Sequence, residues 1–186
     1  EMGWNSENFA YKDAADLLAE APSRRQAAFL VRYMVIIQAV GIEKVFWFAQ
    51  GAGGHGIMVH EGRRKRLAFY AYRHLIRELD NYLSVREVIP HGSCGLYAYL
   101  FTHPGRSVLV AWSVNSPQEA QIPGASLARE ARDMLGKPIP KPQSERMTLT
   151  GEPIYLFFDR TPQSLARLAE LQADPPRLWL APGEWQ

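Results

Sequence analysis

Residues 95–114 read GLYAYLFTHPGRSVLVAWSV. Two apolar runs, Leu96–Phe101 and Val108–Trp112, flank the tetrapeptide His103-Pro104-Gly105-Arg106. Proline fixes φ at the second position of a tight turn, and glycine accepts positive φ at the third. The stretch therefore predicts an antiparallel hairpin. Toward the C-terminus, SLAREARD (126–133), ERMTLT (145–150) and PIYLFFD (153–159) follow, separated by MLGKPIPKP (134–142) and TGEP (150–153). Short apolar segments between Gly and Pro punctuation predict more strands, and together a small antiparallel β-sandwich over residues 85–160. SLAREARD has a helix-favouring composition, but the flanking turns leave it short, so it is assigned to a strand. A short helix at Ser164–Gln172 and a Pro-rich tail complete residues 161–186.

The pattern before residue 85 is different. APSRRQAAFLVRYMVIIQAVG (21–41) predicts a helix, with Ser23 and Gln26 as a capping box. Ala27, Leu30, Met34, Ile37 and Val40 recur at helical spacing, and Gly41 supplies a left-handed stop. EKVFWFAQ (43–50) is rich in aromatic residues without alternation, which predicts a strand buried on both faces. A Gly-rich loop, GAGGHG (51–56), leads to a second amphipathic helix within LAFYAYRHLIRELDNYL (67–83). Its apolar stripe is Leu67, Tyr70, Ala71, His74, Leu75, Leu79, Tyr82 and Leu83. Helix, buried strand, loop and helix match the last stretch of an α/β sheet or barrel. Two helices and one strand cannot bury both faces of a sheet. The expectation is that residues 1–84 end a larger α/β domain whose other strands precede Glu1.

The 186 residues carry a net charge of +2, with 47% apolar and 22% charged residues. That balance gives no whole-chain signal for nucleic acid or for an anionic membrane. The run Arg63-Arg64-Lys65-Arg66 lacks interleaved aromatic residues and reads as a solvated loop before the second helix. Met34–Val40, interrupted by Gln38, is too short to span a bilayer. The one cysteine, Cys94, allows neither an intrachain disulfide nor a cysteine zinc site, and no His or carboxylate pair has metal-ligand spacing. His91 and Cys94 lack a third, orienting group, so HGSCG reads as a turn. GAGGHG lacks the Lys-Ser/Thr ending of a phosphate loop.

The order of EMGW (1–4), FWFAQ (46–50), RKRLAFYAYRHLIREL (64–79), ARDMLGKPIP (131–140) and MTLTGEPIYLFF (147–158) resembles the C-terminal portion of the clan-A retaining glycoside hydrolases, in particular the family 39-like group. The resemblance implies the end of a (β/α)8 barrel followed by an accessory β-sandwich. It implies that Glu1 is the catalytic nucleophile, with Gly3 permitting close backbone approach and Trp4 at the rim of the site. Trp47 would stack on the substrate sugar. Gln50, where the family often has a second aromatic residue, and His55, within reach of a sugar hydroxyl, would complete the substrate-binding set. No metal or organic cofactor is implied, the partner is a carbohydrate, and a secreted, periplasmic or envelope-associated protein is expected.

Retaining hydrolysis also needs an acid/base carboxyl about 5–5.5 Å from the nucleophile. In the family it is a Glu that usually follows Asn. Here Ser6-Glu7-Asn8 has the wrong order, so the acid/base is expected outside this chain. A non-catalytic carbohydrate-binding module and a degenerate barrel are the alternatives.

Overall fold

The hairpin at residues 95–114 forms the centre of the molecule. In the computed structural model, which describes residues 20–42, 44–47, 56–59, 64–89, 95–115 and 117–171, its arms are β4 (Leu96–His103) and β5 (Arg106–Ser113). Gly105 takes φ +75°, as the Pro-Gly turn requires. Before the hairpin come α1 (Glu20–Ala39), β1 (Met58–Val59), β2 (Arg64–Lys65), α2 (Leu67–Leu79) and β3 (Ser84–Glu87). After it come β6 (Gln118–Gln121), β7 (Glu130–Asp133), β8 (Pro138–Ile139), β9 (Arg146–Leu149), β10 (Ile154–Phe158) and α3 (Gln163–Leu171).

Six strands pair in the order β3-β4-β5-β10-β7-β8, and every pairing is antiparallel. Side chains alternate across this sheet. Tyr99, Phe101, Val108, Val110, Trp112, Tyr155 and Phe157 join α1 and α2 in one core. Ala98, Leu100, Leu109, Ala111, Leu156 and Phe158 form a second core with Ile122, Leu149 and Leu165, beneath the β6–β9 ribbon and α3. The result is three layers: helices, sheet, and a ribbon with a helix.

This arrangement overturns the expected (β/α)8 barrel fragment followed by a sandwich. The sheet is antiparallel and does not close, and α1 and α2 lie against it instead of alternating with parallel strands. The same core runs from the helices into β3, β4 and β5, across the boundary expected between residues 84 and 85. A two-stranded ribbon and a helix, not a full second sheet, cover the other face.

The strand buried on both faces is also misplaced in the sequence reading. Residues 44–47 form no strand beyond an isolated bridge at Trp47, and Phe46 is 75% exposed. It is β5, through the run SVLVAWS, that is buried on both sides.

The helix ends show a second correction. Gly41 (φ +81°) closes α1 as expected, with Ile42 N–H donating to Ile37 O and Gly41 N–H to Gln38 O, a Schellman pair. The N-terminal capping box does not form, because α1 already begins at Glu20. Ser23 Oγ instead accepts the N–H of Leu67 at 3.1 Å, and Gln26 Nε2 donates to Gly56 O at 3.2 Å. A side chain of α1 thus caps α2, whose own cap position, Arg66, offers no side-chain hydrogen bond. Arg66 itself is 1% exposed, so the basic run is not uniformly solvated.

Candidate functional site

Of the residues the resemblance singled out, Trp47 lies within the described structure. Glu1, Trp4, Gln50 and His55 lie outside the described residues, as do Gly3, His91 and Cys94.

Trp47 is half-buried at the edge of the helical layer. Its ring meets Phe29 at 6.3 Å between centroids and Tyr33 edge-on at 6.5 Å, both from α1. Phe29 and Tyr33 stack on each other at 6.2 Å, four residues apart on one helix face. On its other side Trp47 lines an open hollow of about 350 Å³ with Phe46, Ile57, Met58, Phe69 and Tyr72. Lys65 Nζ stands 4.6 Å over the Phe69 ring at this rim. The Trp47 Nε1–H is shielded and has no hydrogen-bond acceptor among the described residues. Flat apolar rings at an open hollow suit a ligand with an apolar face.

The sequence expectation named Trp47 and did not name Phe69 and Tyr72, which line the same hollow. They sit on α2 two and five positions beyond Leu67, away from the predicted stripe, and the helix pattern gave no reason to single them out. Their signal is only that aromatic residues interrupt the polar face of α2.

A second cluster, polar and largely enclosed, lies where α2 crosses the sheet. Glu78 is 6% exposed and accepts from Arg106 Nη1 at 3.0 Å, while Arg106 Nη2 donates to the Glu78 carbonyl at 3.1 Å. Arg132 Nη1 and Arg77 Nε approach the same carboxylate at 3.5 and 3.6 Å. Arg132 is further held by a bidentate pair with Glu130, at 2.6 and 3.1 Å. That hydrogen bond holds the Glu130 carboxyl below the usual carboxylate range.

His74 packs edge-on to Tyr155 at 4.8 Å, with Nδ1 3.9 Å from Glu78 Oε1. Glu78 and Arg77 face it from α2, Glu130, Arg132 and Asp133 from β7, and Tyr155 from β10. Burial pushes the His74 imidazole down, against a smaller upward pull from Glu78. His103 is shifted down too, by burial and then by Arg106. Burial raises the Tyr155 hydroxyl far above its ordinary value, so it stays protonated. Among the described residues, no group of His, Cys, Asp and Glu is arranged to hold a metal ion. No described helix is long and apolar enough to cross a membrane.

No protein-family model and no curated protein matches the chain. The chemistry of these two places is therefore read from the residues themselves.

Proposed function

We propose that this chain is the nucleophile-bearing part of a retaining glycoside hydrolase, with the hollow at Trp47 receiving a sugar ring of an oligo- or polysaccharide. The observation that carries the reading is that hollow. The Trp residue implied as a sugar platform lines an open surface with Phe46, Phe69 and Tyr72. Sugar rings present C–H groups on one face, which such aromatic rings can cover. The likeness of the EMGW segment to the family's nucleophile motif supplies the rest of the support.

In this reading Glu1 attacks the anomeric carbon as the glycosidic C–O bond breaks, and a carboxylic acid outside this chain protonates the leaving oxygen. The resulting glycosyl ester is then opened by water, which the same carboxylate, now acting as base, deprotonates. Binding and hydrolysis therefore separate: the chain alone binds sugar, and turnover needs the second carboxyl group.

Affinity electrophoresis of this chain against a panel of neutral and acidic polysaccharides tests the hollow. Retardation by at least one of them, abolished in Trp47→Ala, is the expected result. Absence of retardation across the panel, or equal retardation of the variant, overturns the sugar-binding reading. In a hydrolytically active protein containing this chain, Glu1→Gln is expected to lower turnover by more than roughly a thousandfold with little loss of binding. Sugar binding with turnover untouched by that change points instead to a carbohydrate-binding module.

A further inference from the structure

Beside the Glu78 cluster, with which it shares His74, Arg77 and Arg132, a second hollow of about 170 Å³ opens against the β7–β8 turn. Tyr70, Arg73, His74, Arg77, Arg132 and Gly136 line it. Tyr70, Arg73 and Arg77 follow the i, i+3, i+7 spacing that places side chains on one helix face. The charges around it are not all spent on one another. Arg132 is committed to Glu130, and Arg106 to Glu78. Arg77 touches Glu78 only through Nε and is 74% exposed. Arg73 has no ion pair or hydrogen bond among the described residues.

A second, independent observation lies in its wall. His74 is 7% exposed, and its Nε2 has no hydrogen-bond partner among the described residues. A shielded imidazole nitrogen without a partner costs free energy unless a ligand or water satisfies it. The facing turn is built to come close: Gly136 has φ +84°, and a Cβ there would stand 2.8 Å from His74 Nδ1. Asp133 accepts the N–H groups of Leu135 and Lys137, both at 2.9 Å, which fixes that turn. The hollow is therefore walled by backbone on one side and by guanidinium and imidazole groups on the other. The Glu78 carboxylate lies against His74, Arg77 and Arg132, and that of Glu130 against Arg132, which leaves Arg73 as the uncompensated charge.

We propose that this hollow is an oxyanion-binding site, taking one phosphate or sulfate group between the Arg73 and Arg77 guanidiniums and the His74 imidazole. Guanidinium groups donate paired N–H bonds to tetrahedral oxyanions, and a partly enclosed wall strengthens them. The group can arrive as a free inorganic anion or as an ester on a saccharide. The proposal does not depend on the sugar-binding reading, because the hollow shares no residue with that of Trp47.

The test is a titration of the whole chain with inorganic phosphate and, separately, with a sulfated disaccharide, followed by the NMR resonances of the His74 ring. A saturable shift, with the ring's titration midpoint moved upward by the bound anion, is expected for at least one probe. Comparable affinity for the two probes marks a site for the free anion, and much tighter binding of the disaccharide marks an ester site. Arg73→Glu should weaken the binding roughly tenfold or more, while Arg73→Lys retains most of it. Both changes are at an exposed position and leave the core intact. The proposal fails if neither probe gives a saturable shift, or if Arg73→Glu binds as tightly as the unaltered chain. It fails also if Trp47→Ala removes the binding while Arg73→Glu does not.

Discussion

His74 is a histidine whose imidazole holds its proton less tightly in the folded chain. It lies against Tyr155 and is shielded to 7% exposure, so burial lowers its proton affinity below that of the unfolded chain. His103, also 7% exposed, is shifted the same way. The sign of the linkage follows. Above the ordinary imidazole value, about 6.5, both states are neutral and these two groups do not oppose folding. As pH falls through that value, the unfolded chain takes up protons that the folded one resists, and stability declines until the lowered folded-state values are passed. Each histidine contributes a slope of at most about 1.4 kcal/mol per pH unit. Thermal melts between about pH 7.5 and pH 5 should show a falling midpoint, less steep in His74→Gln. A midpoint independent of pH over that interval would show that burial does not control these histidines. Glu130 adds loss of stability in the same direction at lower pH, since its folded carboxyl is held below its ordinary range.

At the scale of elements, α1 and α2 are coupled through a cap. Leu67 N–H begins α2 and finds its acceptor in Ser23 Oγ, 44 residues earlier. An Arg at the cap position supplies none. Ser23→Ala should therefore cost about 1 kcal/mol, read as a lower denaturation midpoint with an unchanged denaturant slope. Local capping by Ser23 predicts instead fraying at the start of α1, which hydrogen exchange at Leu67 and in the first turn of α2 distinguishes. The Ser-x-x-Gln spacing was legible, but its partner was not. A capping box and a cross-helix cap use the same residue types, and only the approach of α2 to α1 selects between them. The same ambiguity misled the reading of residues 44–47, because aromatic density marks a buried strand and a half-exposed edge equally well.

At the scale of the molecule, the sheet depends on cover from both sides. Its helix-facing side carries Tyr99, Phe101, Val108, Val110, Trp112, Tyr155 and Phe157, each large side chain stabilising by about 1.5–3 kcal/mol when fully buried. Trp112 is fully buried and stacks on Tyr97 at 5.4 Å and on Tyr99 at 5.6 Å. A chain beginning at residue 85 would bare this face. It should bind a hydrophobic dye and lose its sharp thermal transition. A cooperative melt from that shortened chain would establish residues 85–160 as an independent domain. Trp112→Ala in the whole chain should cost about 3–5 kcal/mol by leaving a cavity between the sheet and the helices.

The sequence by itself determined the local pieces: the 95–114 hairpin and its Pro-Gly turn, strands at 130–133, 146–149 and 154–158, two amphipathic helices, and the Gly41 stop. These follow from turn chemistry and periodicity, which act over a few residues. What covers each apolar face was left to tertiary structure. A run such as SVLVAWS is apolar on both sides whether its neighbours are parallel or antiparallel, and a helix stripe fits a barrel wall or a sheet equally well. The choice was made by long-range register, β10 between β5 and β7, which put α1 and α2 on one face of an antiparallel sheet. The same packing brought the Gly136 turn against the Arg73, His74 and Arg77 positions of α2 to form one hollow, from two segments that nothing in the sequence connects.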